Sequence, residues 1–423
     1  MTSFSSCIRW AICAAPAIVA FSPAAAETIE INNDLPADFP RVKHVRQVTK
    51  GPKHHFFGYY GILPWDAAER HLLCLETDFG DRLVQAGDKA HLCLVDLQTN
   101  QIKHVAETAT WNFQQGTMQH WLGTVPDREI IYNDRIDGSV RGLILDVHTG
   151  KRRTVSRPVA AVAHNGKTAA SISFARLRTT RPGYGYAGGK DPYADDPHPK
   201  QDGLFLVDLK TGQAKLIVSL DDAFHAEPVP AGSEKNLLWL NHVLYNRNDT
   251  RIFFMARIHD ANNKRQTAAF TVNLDGTDLR CILPYAWGAS HYDWLDDKQM
   301  VVTSKFQGHT PWLHVFFTDG KRDHTVLTRE VGDGHCHFSF DAKWMVTDGY
   351  PDKRRFRHLY LMNMKTRQFH RIASFYEPAK FHHEWRCDLH PRWSRDAKRI
   401  CIDSTQDGTR QVYIVELEFP EKK

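Results

Sequence analysis

Residues 204–212 read LFLVDLKTG: an apolar strand, an Asp, then a Thr-Gly turn that hands the chain to another strand. The phrase returns as LCLVDLQTN (92–100) and LILDVHTG (143–150). Degenerate forms follow as FTVNLDG (270–276), HVFFTDG (314–320), LYLMNMKTR (359–367) and VYIVELE (412–418). The copies lie about 45 to 65 residues apart, and an aromatic-polar turn and a second apolar strand precede each, as in RWSRDAKRICIDS (392–404). Four strands per unit and seven units predict an all-β chain folded as a seven-bladed β-propeller. The last unit lacks an outer strand after Leu417, and residues 42–50 (VKHVRQVTK) are expected to supply it. That pairing closes the ring and leaves no long bare strand edge.

Residues 1–26 read as an export signal, with Arg9, a short apolar stretch over 10–21 and Ala24-Ala25-Ala26 before the cut. A periplasmic or secreted protein is expected, with residues 27–423 forming one propeller domain. No apolar run is long enough to span a bilayer. The six cysteines beyond the signal form no CxxC pair, which excludes a zinc ribbon, and they read as buried free thiols. The net charge of +5 is compatible with an anionic ligand. Nothing resembles a nucleic-acid module, and a monomer is expected.

Two stretches depart from the repeat. Residues 181–203 (RPGYGYAGGKDPYADDPHPKQDG) form a long insertion in the third unit, of the kind that is either functional or disordered. Residues 53–60 (KHHFFGYY) pack two His and four aromatics ahead of the first blade, a density that suits a ligand-contacting surface.

A further pattern is chemical. His242, His291, His335 and His390 each stand three residues before an aromatic (Tyr245, Trp294, Phe338, Trp393) at the head of a unit. The innermost strand of every blade lines the channel, so residues at one phase of that strand face each other. Aligned on the following strand, the second unit places His120 at this phase with Gly123 for the aromatic, and the third and first units place Val159 and Ile62. Strand alternation puts His337 on the face of His335. His291, His335 and His337 are therefore the expected ligands of Zn²⁺ or Mn²⁺. The competing reading makes these imidazoles structural, bonding channel water and backbone. Tyr184 and Tyr186 in the insertion are candidates for proton transfer at the channel mouth, or loop aromatics packed on the blade. Arg257 is a candidate carboxylate partner, or one half of a blade-edge salt bridge. No G-x-S-x-G occurs, which argues against a serine hydrolase.

The order His242, His291, His335-x-His337 resembles that of the oligogalacturonide lyases, and His120 with Tyr184 or Tyr186 resembles the ulvan lyases, both β-propeller polysaccharide lyases within the wider TolB-like propeller group. The resemblance implies a secreted enzyme that cleaves a uronic-acid-containing polysaccharide or oligosaccharide by metal-assisted β-elimination. It implies His291, His335 and His337 on the metal with His390 in reserve, His242 or His120 as base, and Tyr184 or Tyr186 as acid. The oligogalacturonide lyases place a glutamine three residues before the His-x-His pair, where this chain has Gly332. The alternative is a non-catalytic propeller of the TolB-like kind that binds a protein or a glycan.

Overall fold

The computed structural model describes residues 28–420 apart from residues 60 and 322. The expected export signal over 1–26 lies outside the described residues. Seven antiparallel sheets follow one another along the chain. The first has strands His54–Phe56, His71–Thr77, Ala90–Asp96 and Ile102–Thr108, and the fourth has Trp239–Tyr245, Arg251–His259, Arg265–Asn273 and Arg280–Leu283. This is the seven-bladed propeller that the repeat predicts. Residues Arg41–Gln47 pair with Gln411–Glu418 as the outer strand of the seventh blade, Val45 opposite Val415, so the ring closes as expected. A second N-terminal strand, Ile29–Ile31, adds a fifth strand to the sixth blade beside Phe369–Tyr376.

The repeated Asp has a local cause. In the turns after Asp96, Asp146 and Asp208, one carboxylate oxygen accepts the backbone N–H groups two and three residues on. Asn363 does the same with its amide oxygen. These are Asx turns, and they require a left-handed residue to finish the reversal. Gly150 and Gly212 take it at φ +74° and +75°, and Asn100 at +57°. A side chain other than Gly or Asn pays for that conformation in strain, as Arg367 does at φ +64°.

Apolar side chains alternate between blades, and the motif aromatics Tyr245, Trp294, Phe338 and Trp393 are buried between sheets. The six described thiols are free, and all but Cys281 are buried. Among the described residues no helix is long and apolar enough to cross a membrane. The two short α-helices, Phe174–Thr180 and Leu220–Ala226, flank the third blade's insertion. Buried Arg176 ties that insertion down, bonding the carbonyls of Leu238, Tyr193, Asp196 and Pro197 and the Asp191 carboxylate.

Candidate active site

Strand pairing fixes which channel residues stand level. Tyr245 lies opposite Ile252, Trp294 opposite Met300, Phe338 opposite Met345 and Trp393 opposite Ile400. His242, His291, His335 and His390 precede these aromatics by three residues, and so hold equivalent places in four consecutive blades. In the second blade the residue opposite Ile130 is Trp121, which makes Met118 the equivalent position. Taking Gly123 for the aromatic slips the register by two residues. Such a slip keeps the face but moves the side chain one level along the strand. His120 therefore stands level with His337, not with His242.

His337 is also one level away from His335. Two strand residues rise about 6.6 Å, so sharing a face does not bring two imidazoles to one ion. His337 Nδ1 accepts the Trp393 N–H at 3.1 Å. Together with His120, Asp293 and Arg392 it lines a separate cavity of about 300 Å³. The imidazoles that the fold gathers are instead His291, His335 and His390. The ring centroids of His291 and His335 are 3.8 Å apart, and those of His335 and His390 4.4 Å.

Carboxylates orient this group. His291 Nδ1 lies 2.7 Å from Asp333 Oδ1, which also accepts the Thr303 hydroxyl at 2.7 Å. His335 Nδ1 lies 2.8 Å from Asp348 Oδ1, and Asp348 accepts the backbone N–H groups of His335 and His390 as well. A carboxylate on Nδ1 selects the tautomer whose lone pair is on Nε2, the form that ligates metals. An oxygen donor stands beside them, because the donor atoms of His335, Asp388 and His390 all lie within 4.8 Å of one another. Burial raises the Asp388 carboxyl, but Arg386 and Arg357, at 2.9 and 2.8 Å, hold it well below the usual range. Burial, then His335, pushes His390 well below the ordinary imidazole value, and burial lowers His291 despite Asp333. Three imidazoles and a carboxylate form a donor set that fits Zn²⁺ or Mn²⁺. The glutamine position is empty of a donor, being Gly332 at φ +76°, and Asp388 brings the oxygen from the next blade.

His242 stands apart in chemistry. The register of its strand shifts between Asn241 and Leu244, and its φ is +56°. A bulge of this kind re-aims a side chain. The ring stacks on Tyr59 at 4.9 Å and 14°, with the Tyr59 hydroxyl 3.4 Å from Nε2, and Tyr184 approaches edge-on at 5.7 Å. Nδ1 is buried with no hydrogen-bond partner among the described residues. Burial, then Arg257 and Arg181, holds this imidazole well below its ordinary value, so it is an unprotonated base.

Arg257 is 2 % exposed. Its Nε and Nη1 have no partner among the described residues, and Nη2 only approaches the Met255 sulfur at 3.4 Å. The salt bridge that sequence offered as one reading is not formed among the described residues. Burial, then Arg181 and Arg265, holds the guanidinium well below its usual range. A buried cation without a counter-ion costs several kcal/mol until an anion arrives. Arg181 and Arg265 add their positive charge to its surroundings.

The insertion's two tyrosines part company. The Tyr184 hydroxyl donates to Gln114 Oε1 and accepts from Arg386 Nη2, both at 3.1 Å, and its ring carries Arg181 at 3.5 Å. Tyr186 is packed in the core, stacked on Phe174 at 4.3 Å, its hydroxyl accepting from Asn133. Tyr59, Arg181, Arg265, Asp333, Asp348, Asp388 and Arg386 are not among the sequence candidates, although the aromatic density of residues 53–60 marks the segment that delivers Tyr59.

No protein-family model matches this sequence, and no curated protein sequence matches it. Solved structures do match the fold. An oligogalacturonate lyase in complex with manganese is 18% identical, over 89% of this chain and 95% of that one, with a TM-score of 0.65. The oligogalacturonate lyase from Vibrio parahaemolyticus is 16% identical over 92% and 96%, with a TM-score of 0.63. The tricorn protease is 12% identical, over 89% of this chain and 36% of that one, with a TM-score of 0.52. At these identities the likeness shows the propeller fold.

Proposed function

We propose that this chain is an exported polysaccharide lyase that cleaves a uronic-acid-containing glycan by metal-assisted β-elimination. One observation carries the reading: a buried imidazole nitrogen of His242, and the buried Nε and Nη1 of Arg257 whose charge acts on it, have no hydrogen-bond partner among the described residues. A base next to an anion receptor is what removing a proton α to a carboxylate requires. The fold-level likeness to a manganese-bound oligogalacturonate lyase supports it.

Arg257, with Arg181 and Arg265, docks the uronate carboxylate. His242 Nδ1 takes the C5 proton, and its Nε2 is steadied by the Tyr59 hydroxyl. The C5–H electron pair becomes the C4=C5 double bond as the C4–O4 bond breaks, and the Tyr184 hydroxyl gives its proton to O4. Arg386 on the Tyr184 oxygen stabilises the phenolate left behind. His291, His335 and His390, with Asp388, would hold a divalent ion, which when bound stabilises the negative charge developing on the carboxylate.

Oligogalacturonates, ulvan and glucuronan with added Mn²⁺ test this through the ultraviolet absorbance of the unsaturated product. Product from the native chain and none from His242→Ala supports the reading. A manganese-loaded chain that binds these glycans and yields no product overturns it in favour of a binding propeller.

A further inference from the structure

Away from the channel, the first blade carries a second group of metal-binding side chains. Its ladder places His55 opposite Glu76 and Glu76 opposite His91, while Cys93, two residues after His91, lies opposite His104. Alternation puts all five on one face of the blade. That face meets the seventh blade, since His55 Nδ1 lies 2.9 Å from Gln411 Oε1. Glu76 is the hub: Oε2 is 3.0 Å from His55 Nε2, and Oε1 is 3.2 Å from His104 Nε2. The donor atoms of Glu76, Cys93 and His104 all lie within 4.8 Å of one another. His91 stacks on His104 at 4.5 Å and 1°, which holds the outer ring in place.

We propose that Glu76, Cys93 and His104, with His55 as fourth donor, form a second divalent-metal site at the seam where the ring closes. Thiolate, two imidazoles and a carboxylate form the mixed soft and borderline set that suits zinc in a closed tetrahedral site. With bonds of about 2.0 to 2.3 Å, tetrahedral donors stand about 3.5 Å apart, so Glu76, Cys93 and His104 need movements on the order of 1 Å, and His55, now 3.0 Å from Glu76 Oε2, closes on the ion from outside that group. The Lys53 ammonium, 2.9 Å from Glu76, occupies the cation's side of the cluster, but its side chain is 43% exposed and has a second partner in Asp78 at 3.3 Å. It can withdraw when a dication takes its place. The ion binds as the Cys93 thiol gives up its proton to solvent. Bound there, it crosslinks the four strands of the first blade, and His55 carries that link to the seventh blade through its 2.9 Å contact with Gln411.

Cobalt titration of the full chain, kept reduced with a non-coordinating phosphine, tests the site. The native chain is expected to show a thiolate-to-cobalt charge-transfer band in the near ultraviolet. His335→Ala, which alters only the channel, is expected to keep that band. Cys93→Ser should abolish it, and the more exposed His104→Ala should weaken the affinity read from it by about tenfold or more. A native chain with no such band, or a band that survives in Cys93→Ser, overturns the proposal. The band reports the thiolate alone, so failure of the channel metal leaves it in place and is read separately from the total cobalt bound.

Discussion

Tyr59 and His242, 183 residues apart in sequence, lie ring on ring at 4.9 Å with the phenol oxygen 3.4 Å from the imidazole. The contact joins the loop after the first blade's innermost strand, His54–Phe56, to the bulge in the fourth. It fixes the ring plane of His242, so that Nδ1 is the nitrogen left for substrate. Replacing Tyr59 with Phe keeps the stack and removes the hydroxyl. The expected outcome is a fall in kcat of about tenfold with KM little changed, whereas His242→Ala loses about 100-fold or more. Steady-state kinetics on the active glycan checks both.

Arg257 offers a different signature. Removing a buried charge that has no counter-ion among the described residues relieves its desolvation cost, so Arg257→Met is expected to stabilise the fold by about 1 to 4 kcal/mol while raising KM sharply. Denaturant midpoints and kinetics on one preparation test it. A variant that is less stable than the native chain sinks the unpaired-cation reading.

Asp348 tests the metal group. Asp348→Asn keeps the shape but loses the charge that holds His335 Nδ1 and the backbone N–H of His390. Manganese affinity should fall about 10- to 100-fold. Calorimetric titration reads this directly, and unchanged affinity would place the ion elsewhere.

The pH dependence of stability has a defined sign. Burial is the main cause that lowers His120 and His314 from 6.5 to about 4. The unfolded chain takes up protons there as pH falls through 6.5, while the folded chain waits until about 4. Their contribution is therefore whole above 6.5 and is lost as pH drops to about 4, by roughly 3 kcal/mol for each residue. Urea midpoints across this range should decline on the acid side, and His120→Gln should flatten the decline.

Closure makes another expectation. Starting the chain after residue 47 removes the outer strand of the seventh blade and bares Gln411–Glu418. Thermal unfolding should move to lower temperature, and the open edge should promote association. Light scattering alongside calorimetry separates the two effects.

What the sequence revealed was local or periodic. The turn Asp residues repeat because each bonds its own backbone, so the blades could be counted. His242, His291, His335 and His390 could be aligned because their aromatics sit at a nearly constant distance before the next strand: Tyr245 to Ile252 is seven residues, as is Trp393 to Ile400. In the second blade Trp121 to Ile130 is nine, and counting back from the strand misplaces His120. The remaining site residues were hidden for a different reason. Arg181 comes from the insertion and Arg257 and Arg265 from two strands of the fourth blade, with no shared spacing. Asp333 and Asp348 act through the histidines they bond, and Asp388 meets His335 and His390 only in the folded chain, so tertiary packing alone shows what they hold. His337 was misassigned because alternation gives the face of a strand residue but not its depth.

The strand Arg41–Gln47 is made before any of the seven blades is complete, yet its partner Gln411–Glu418 is made after the strands of the other six. During synthesis that strand has no partner until the six intervening blades have left the ribosome. Blades can form in order, but the ring cannot lock early. A chain that lacks Gln411–Glu418 leaves the ring open, and so the closed propeller carries its own check that all seven blades have been made.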